Sequence, residues 1–549
     1  MEELLEASRL LRSCLDRYIG ACSAITLSYN PADKDINSPV LNAITNELRI
    51  VADYERDARN AKSILARSRN SSQAVVPMSA LPAEVLERIF QLADDIQYNM
   101  NVKLPSPMFP EALSHVCARW RQVALSSHRL WSRIDVPIFS QSYKWLLLRG
   151  KTFASRATEL DLHIFMTNDE MEGGSLYSRL DRFCAGVGSK LRALQLTNGV
   201  KARDGLGASM LTPLLNASFK YIEPGALDHI ALIDHYPAQP EFIRSSDTLS
   251  SCWYRPISID IPQRQIDDVL GPIRSLWMEN HFFPWKSPAY HGLVDLRLLT
   301  SGEARPISIE SAQLRNILSA CPKLRTFHCG IEVVDTKTVA QDISEPVYLA
   351  ELEYIHLRRM SPDQHQYLLP LILPGPKPIS LSIQVAKPSP TEELFSTTVL
   401  DFFTRSNVVA LYIKGHCYTA SLSLERLLKD SPPSTRIIGL QSFNIDQENA
   451  RPFSFKQSYL TQLECLNLTL CTFDINVLRG MADVCPIREI KIFTPECFVY
   501  TVYSSKERVT SETLDELVAI FPIVKSIEKL SPIEEWNSWE TVEWEWGTE

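Results

Sequence analysis

Between residues 191 and 492 one phrase keeps returning: an apolar residue, two others, an apolar residue, one other, an apolar residue. Its clear copies are Leu191-Leu194-Leu196, Leu293-Leu296-Leu298, Leu324-Phe327-Cys329, Leu352-Ile355-Leu357, Val408-Leu411-Ile413, Leu463-Leu466-Leu468 and Ile487-Ile490-Ile492. Weaker echoes are Leu227-Ile230-Leu232, the PISLSI of residues 378–383, and Ile437-Leu440. From Leu293 onward, echoes counted, the copies lie about 24 to 31 residues apart. Between them SAQLRNILSACPKL, SLERLLKDSPP, DINVLRGMADVCPI and SETLDELVAIFPIV read as short amphipathic helices. Each is stopped by proline, which lacks an N–H and clashes with the preceding turn. One such phrase occurs in many cores. A spaced series with helices between predicts a strand and a helix per unit, each burying its apolar positions against the next.

This texture is similar to leucine-rich repeats, whose period is about 20–29 residues. The resemblance implies a mixed α+β or α/β fold, with an irregular right-handed β–α horseshoe over residues 150–530. Side chains alternate along a strand, so the residue between the second and third apolar positions points away from the core. In the clear copies that residue is Gln195, Arg297, His328, His356, Tyr412, Asn467 or Lys491, each polar or amphipathic. These positions are expected to be exposed. Solenoids bind partners on that face, which makes Arg297, His328, His356, Tyr412, Asn467 and Lys491 candidate substrate-binding residues. Residues 200 to 290, with PLLNASFKYIEPGALDHI and SLWMENHFFPWKSP, read as irregular early repeats with insertions. Residues 531–549 hold six Glu, four Trp and no Lys or Arg. They read as an acidic tail, or as a cap whose tryptophans pack on the last repeat.

The N-terminal 70 residues read as two helices. Leu4, Leu11, Leu15, Tyr18 and Cys22 fall at steps of three, four and seven, and Leu41, Ile44, Leu48 and Val51 keep a three-four spacing, with Ile64 and Leu65 further along. The turn-rich NPADKDINSP joins them, predicting a helical hairpin or a short coiled coil. After SRNSSQ comes LPAEVLERIFQLADD. Pro82 suits a first helical turn, Glu84 and Glu87 suit its dipole, and Leu86, Ile89, Phe90 and Ala93 form one stripe. Asp94-Asp95 and the proline-rich IQYNMNVKLPSPMFPE are expected to end that helix. A further helix from Glu111 carries Leu113, Val116, Cys117, Trp120 and Val123 on one face, closed by Ser126-Ser127 and followed by Leu130-Trp131.

LPAEVLERIF followed by LSHVCARWRQVALSSHRLW resembles an F-box. Leu81, Pro82, Glu84, Val85, Leu86, Ile89 and Phe90 match its opening, and Val116, Cys117, Arg119, Trp120, Leu130 and Trp131 its close. The connection between the two parts is longer than the family's usual one. The resemblance covers residues 75–136, about a tenth of the chain. Together with the hairpin and the repeats it is similar to the architecture of many fungal F-box proteins. It implies a substrate-recognition subunit that docks on a Skp-type adaptor, and through it on a cullin, while other subunits transfer ubiquitin. The implied adaptor contacts are Leu81, Pro82, Val85, Leu86, Ile89, Phe90, Val116 and Trp120, some of which also serve the module's own core. The alternative is a scaffold using the same module outside any ligase.

Other classes find little support. Net charge is −9 at 45% hydrophobic content, which disfavours a nucleic-acid binder. No apolar run of about 18 residues is present and the N-terminus is acidic at once, so neither a membrane span nor a targeting peptide is expected. The cytoplasm or nucleus is the expected place. Phosphate-loop, Gly-x-Ser-x-Gly and His-Glu-x-x-His motifs are missing. No enzyme activity and no cofactor are therefore expected. The twelve cysteines form no Cys-x-x-Cys pair and read as small buried hydrophobes. Cys321, His328 and Cys329 lack a fourth ligand, so no metal is expected.

Overall fold

The structure, a computed structural model, describes residues 1–28, 39–70, 77–100, 109–138, 143–166, 175–199, 207–235, 241–248, 257–300, 307–335, 345–358, 360, 362–384, 394–415, 420–422, 424–445, 462–493, 497–500 and 506–527. The turn NPADKDINSP falls almost wholly outside them, and the tail 531–549 wholly. The chain divides into two units, Met1–Leu86 and Glu87–Glu549.

The first unit holds α1 (Glu2–Ser28), α2 (Pro39–Asn70), a short 3-10 turn and the start of α3 (Ala83–Met100). Both long helices follow from the apolar spacing, and salt bridges such as Arg59–Glu55 at 2.8 Å decorate α2. Glu47 and Tyr54 of α2 lie close enough to the Tyr18 hydroxyl to help raise its pKa, behind desolvation. Yet α2 has no buried residue at all.

The second unit opens with the rest of α3, which passes Asp94-Asp95 and runs to Met100. Nothing in IQYNM breaks a helix; the first proline beyond it is Pro105. The helix expected from Glu111 is two helices, α4 (Phe109–Val116) and α5 (Ala118–Ser126). Cys117 divides them. Its backbone is extended, at φ −157° and ψ 170°, and its Sγ accepts the Trp120 N–H as an N-cap. A capping residue with extended dihedrals restarts a helix in a new direction.

A sheet of fourteen strands runs through the rest, with five smaller sheets among the described residues. The strands of the large sheet are β1 (Arg133–Ile138), β2 (Leu160–Met166), β3 (Leu191–Asn198), β4 (His229–Asp234), β5 (Ser275–Glu279), β6 (Asp295–Leu299) and β7 (Thr326–Gly330). Then come β8 (Tyr354–Leu357), β9 (Ile379–Gln384), β10 (Val408–Lys414), β11 (Ile437–Gln441), β12 (Cys465–Thr469), β13 (Glu489–Phe493) and β14 (Ile523–Ile527). All pair in parallel and in chain order. Because the order never reverses, connections of one hand put every intervening helix on one face and leave the other free. The second unit is mixed α/β with a long parallel sheet, consistent with a repeat solenoid, and that sheet begins at Arg133 rather than near 150.

All ten sequence phrases and echoes lie on this sheet. Their apolar positions stack across strands in register, Leu296 on Phe327 on Ile355 on Leu381 on Leu411, each essentially without solvent exposure. In the weakest echo Ile438, rather than Ile437, takes the buried place beside Leu440. Strand β5 carries the phrase too, as Ile273-Leu276-Met278, concealed in the Trp/Pro-rich stretch. Turns after β5, β11 and β12 pass through Asn280, Ser442 and Leu470 at φ 66°, 61° and 52°. In this left-handed conformation Asn280 and Ser442 donate their N–H groups to Leu299 O and Thr469 O on the next strand. Buried thiols serve the same region: Cys471 Sγ donates to Leu440 O and Cys497 Sγ to Leu468 O. Burial pushes the Cys471 thiol up to about 12.

Candidate functional site

The six candidate substrate-binding residues stand on one line. Register pairs Arg297 with His328, His328 with His356, His356 with Ser382, Ser382 with Tyr412, Tyr412 with Gly439, Gly439 with Asn467 and Asn467 with Lys491. The same row continues as Asp135, His163, Gln195, Ala231 and Trp277 on one side and Lys525 on the other. All lie on the face turned away from the helices. Trp277, Ser382, Gly439 and Lys525 escaped the sequence reading. All four sit in weak or unrecognised phrases, Trp277 in the Ile273-Leu276-Met278 of β5.

Exposure differs from expectation at three of the six. Arg297, His328 and Asn467 are 7%, 2% and 3% exposed, whereas His356, Tyr412 and Lys491 are partly open. Strands stand about 4.8 Å apart, so large neighbours on a fully flanked strand shield what lies between them. Arg297 is held by a bidentate pair to Asp295, at 2.9 and 2.8 Å, and lies 5.7 Å from the Trp277 ring centre. His328 meets His356 edge-on, with ring centres 5.1 Å apart. Burial first, then the charges of Arg297, His356 and Arg358, holds His328 well below the ordinary histidine range. Its neighbour Cys329 points to the opposite side of β7, as adjacent strand residues must, so the two do not converge on one ligand. Among the described residues no three His, Cys, Asp or Glu side chains gather as a metal site.

Charge on this face is uneven. At β1–β3, His163 bridges Asp135 at 3.2 Å and Thr197 at 3.1 Å. Burial raises the Asp135 pKa, but the hydrogen bond and charge of His163 outweigh it and the net direction is down. From β6 to β14 the free-face strand positions carry Arg297, Lys414, Lys491 and Lys525 against Asp295 and Glu489, and Arg358 follows directly after β8. That surplus stands on a chain of net charge −9. A pocket of about 170 Å³ on the N-terminal side of β11–β13 is lined by Arg436, Gln462, Glu464, Pro486 and Arg488. It is smaller than the roughly 300 Å³ at which small-molecule sites begin.

The eight residues implied as adaptor contacts divide by exposure. Leu86 and Phe90 are buried; Leu81 and Trp120 are partly so; Pro82, Val85, Ile89 and Val116 are exposed. Phe90 packs on Trp120 with ring centres 4.8 Å apart. On α3, Val85, Ile89 and Leu92 are all exposed and fall at i, i+4 and i+7, a second apolar stripe beside the buried one. The closing pair Leu130-Trp131 is core. Trp131 Nε1 donates to Ala124 O at 2.7 Å, Phe153 meets its ring edge-on, and the Arg156 guanidinium covers it at 4.1 Å. Arg149 of the following helix (Tyr143–Arg156) clamps Glu111 with two hydrogen bonds. Strand β1 begins two residues after Trp131, so this end of the module is built into the solenoid.

Compared with known families, the sequence matches none, and no curated protein matches it. Among solved structures, the leucine-rich repeat-containing protein LegL7 from Legionella pneumophila is similar over 71% of this chain and 96% of that one, at 9% identity and a TM-score of 0.28. A likeness that distant adds nothing to what the sheet itself shows. No described helix is long and apolar enough to cross a membrane.

Proposed function

We propose that this chain is the substrate-recognition subunit of a Skp–cullin–F-box ubiquitin ligase, working in the cytoplasm or nucleus and performing no bond chemistry itself. The F-box-like segment supports this through one observation above the rest: α3 buries Leu86 and Phe90 yet leaves Val85, Ile89 and Leu92 as a second apolar stripe. A helix apolar on two sides has one side to give to another protein. The free face of the sheet is then the capture surface, where His356, Tyr412 and Lys491 are accessible and Arg297 and His328 form the floor. Its positive surplus favours an acidic partner by electrostatic complementarity.

The test is direct binding of the purified chain to a Skp-type adaptor. Val85→Ala with Ile89→Ala removes two anchors of the kind that cost about 2 kcal/mol each on truncation. Binding is expected to weaken at least tenfold, with the melting temperature unchanged. Equal binding by wild type and variant would remove this reading. Reconstituted ubiquitination with a cullin complex separates the ligase subunit from a scaffold.

A further inference from the structure

In the first unit, α1 carries an unbroken seven-residue pattern. Leu4, Leu11, Tyr18 and Ile25 fall seven apart, Leu15 and Cys22 occupy the alternate places, and Leu5 and Ile19 widen the stripe. Helix α2 repeats it with Leu41, Ile44, Leu48 and Val51, then Ala58 and Leu65. Such patterns form helical bundles when a partner covers them. Here the cover is partial: Tyr18, Leu41, Ile44 and Val51 are half-buried, but Leu11 is 67% and Leu48 66% exposed, and Leu4, Leu5, Leu15, Ile19 and Leu65 are exposed as well. Isolated helices draw most of their stability from a packed apolar face, so helices of 27 and 32 residues need one.

We propose that α1 and α2 associate with the same two helices of a second copy of this chain, forming a four-helix bundle. Two observations favour a second copy as the occupant. Leu5 and Ile19 widen the α1 stripe beyond the two positions per heptad that a single neighbouring helix covers, toward the width that a bundle uses. Twelve large apolar side chains of α1 and α2 are exposed; at roughly 60–100 Å² each they supply the roughly 800 Å² per partner of a stable interface. A dimer would present two capture faces and two adaptor stripes at once, raising avidity without any new contact. The proposal does not rest on the ligase reading.

Sedimentation of the full chain between about 0.5 and 50 μM tests it, concentrations spanning a moderate dissociation constant. Wild type is expected at twice the chain mass. Leu11→Glu with Leu15→Glu and Leu48→Glu keeps good helix formers but charges the stripe, and is expected to raise the dimer dissociation constant at least 100-fold while the repeat unit melts unchanged. Ser13→Glu, on the far side of α1, is expected to leave the dimer intact. A monomeric wild type throughout the range, a dimeric triple variant, or equal loss of the dimer with Ser13→Glu would each overturn the proposal.

Discussion

Leu11 in the first unit and Leu296 in the second are both marked by regular apolar spacing, yet one is 67% exposed and the other wholly buried. The difference lies in where the covering atoms come from. A repeat strand brings its own partner, because the next copy of the phrase pairs beside it some 24–31 residues on. A heptad helix states only that a partner is required and leaves its source open. Periodicity therefore specifies the solenoid almost completely, and the N-terminal helices only as far as their own backbone.

The sharpest way to break that contrast is to truncate one residue of each kind. Phe327→Ala empties a buried place between Leu296 and Ile355 and is expected to cost about 3–5 kcal/mol in denaturant unfolding of the repeat unit. Leu11→Ala is expected to leave that transition within about 0.5 kcal/mol. Similar losses from both would mean that the first unit is part of the solenoid's core.

Acid provides the next test. His328 and His365 both have lowered pKa values through burial, the latter to about 4. The unfolded chain takes up protons at both sites below about pH 6.5 while the folded chain does not, so their contribution is full above that pH and is lost as pH falls from there toward the folded pKa. The repeat unit is expected to lose about 2 kcal/mol from His365 alone on going from pH 7.5 to 5. His365→Leu is expected to flatten the profile in that window; an unaltered slope would show that His365 is solvated.

A smaller effect is expected where the helical module joins the sheet. Trp131→Phe loses the Nε1 bond to Ala124 O and strands that carbonyl, costing about 1–2 kcal/mol. The smallest change has the opposite sign. Leu470 holds a left-handed conformation at φ 52°, which asparagine adopts more readily, so Leu470→Asn is expected to stabilise by about 0.5–1 kcal/mol. A loss there would mean that Leu470 packing outweighs its backbone strain.

Legibility in the sequence followed the same division. Strands β3, β4, β6 to β13 and the single row of six candidate residues were readable from period alone, because alternation in a strand fixes the facing of each side chain. Burial of Arg297, His328 and Asn467 was not, since shielding depends on neighbours from other strands, such as Trp277 beside Arg297 and His356 beside His328. Strand β1 escaped because the first residue of its phrase, Trp131-Ile134-Val136, also closes the helical module, and β5 because its apolar residues lie among aromatic neighbours. At Cys117 the apolar face of α4 and α5 reads as continuous, and only the backbone dihedrals reveal the break. The exposed stripe of Val85, Ile89 and Leu92 was likewise hidden, since one helix offered two apolar sides and the sequence could not say which one its own fold would take.

The claim that adaptor docking and substrate capture occupy separate surfaces is tested most directly by quantitative affinity purification of three full-length chains. Wild type is expected to retain a Skp-type adaptor and a set of acidic partners. Leu81→Ala with Pro82→Ala is expected to lose the adaptor and keep those partners, and Tyr412→Ala with Lys491→Glu to do the reverse. Undiminished adaptor in the first variant, or loss of both classes in either one, would contradict the account.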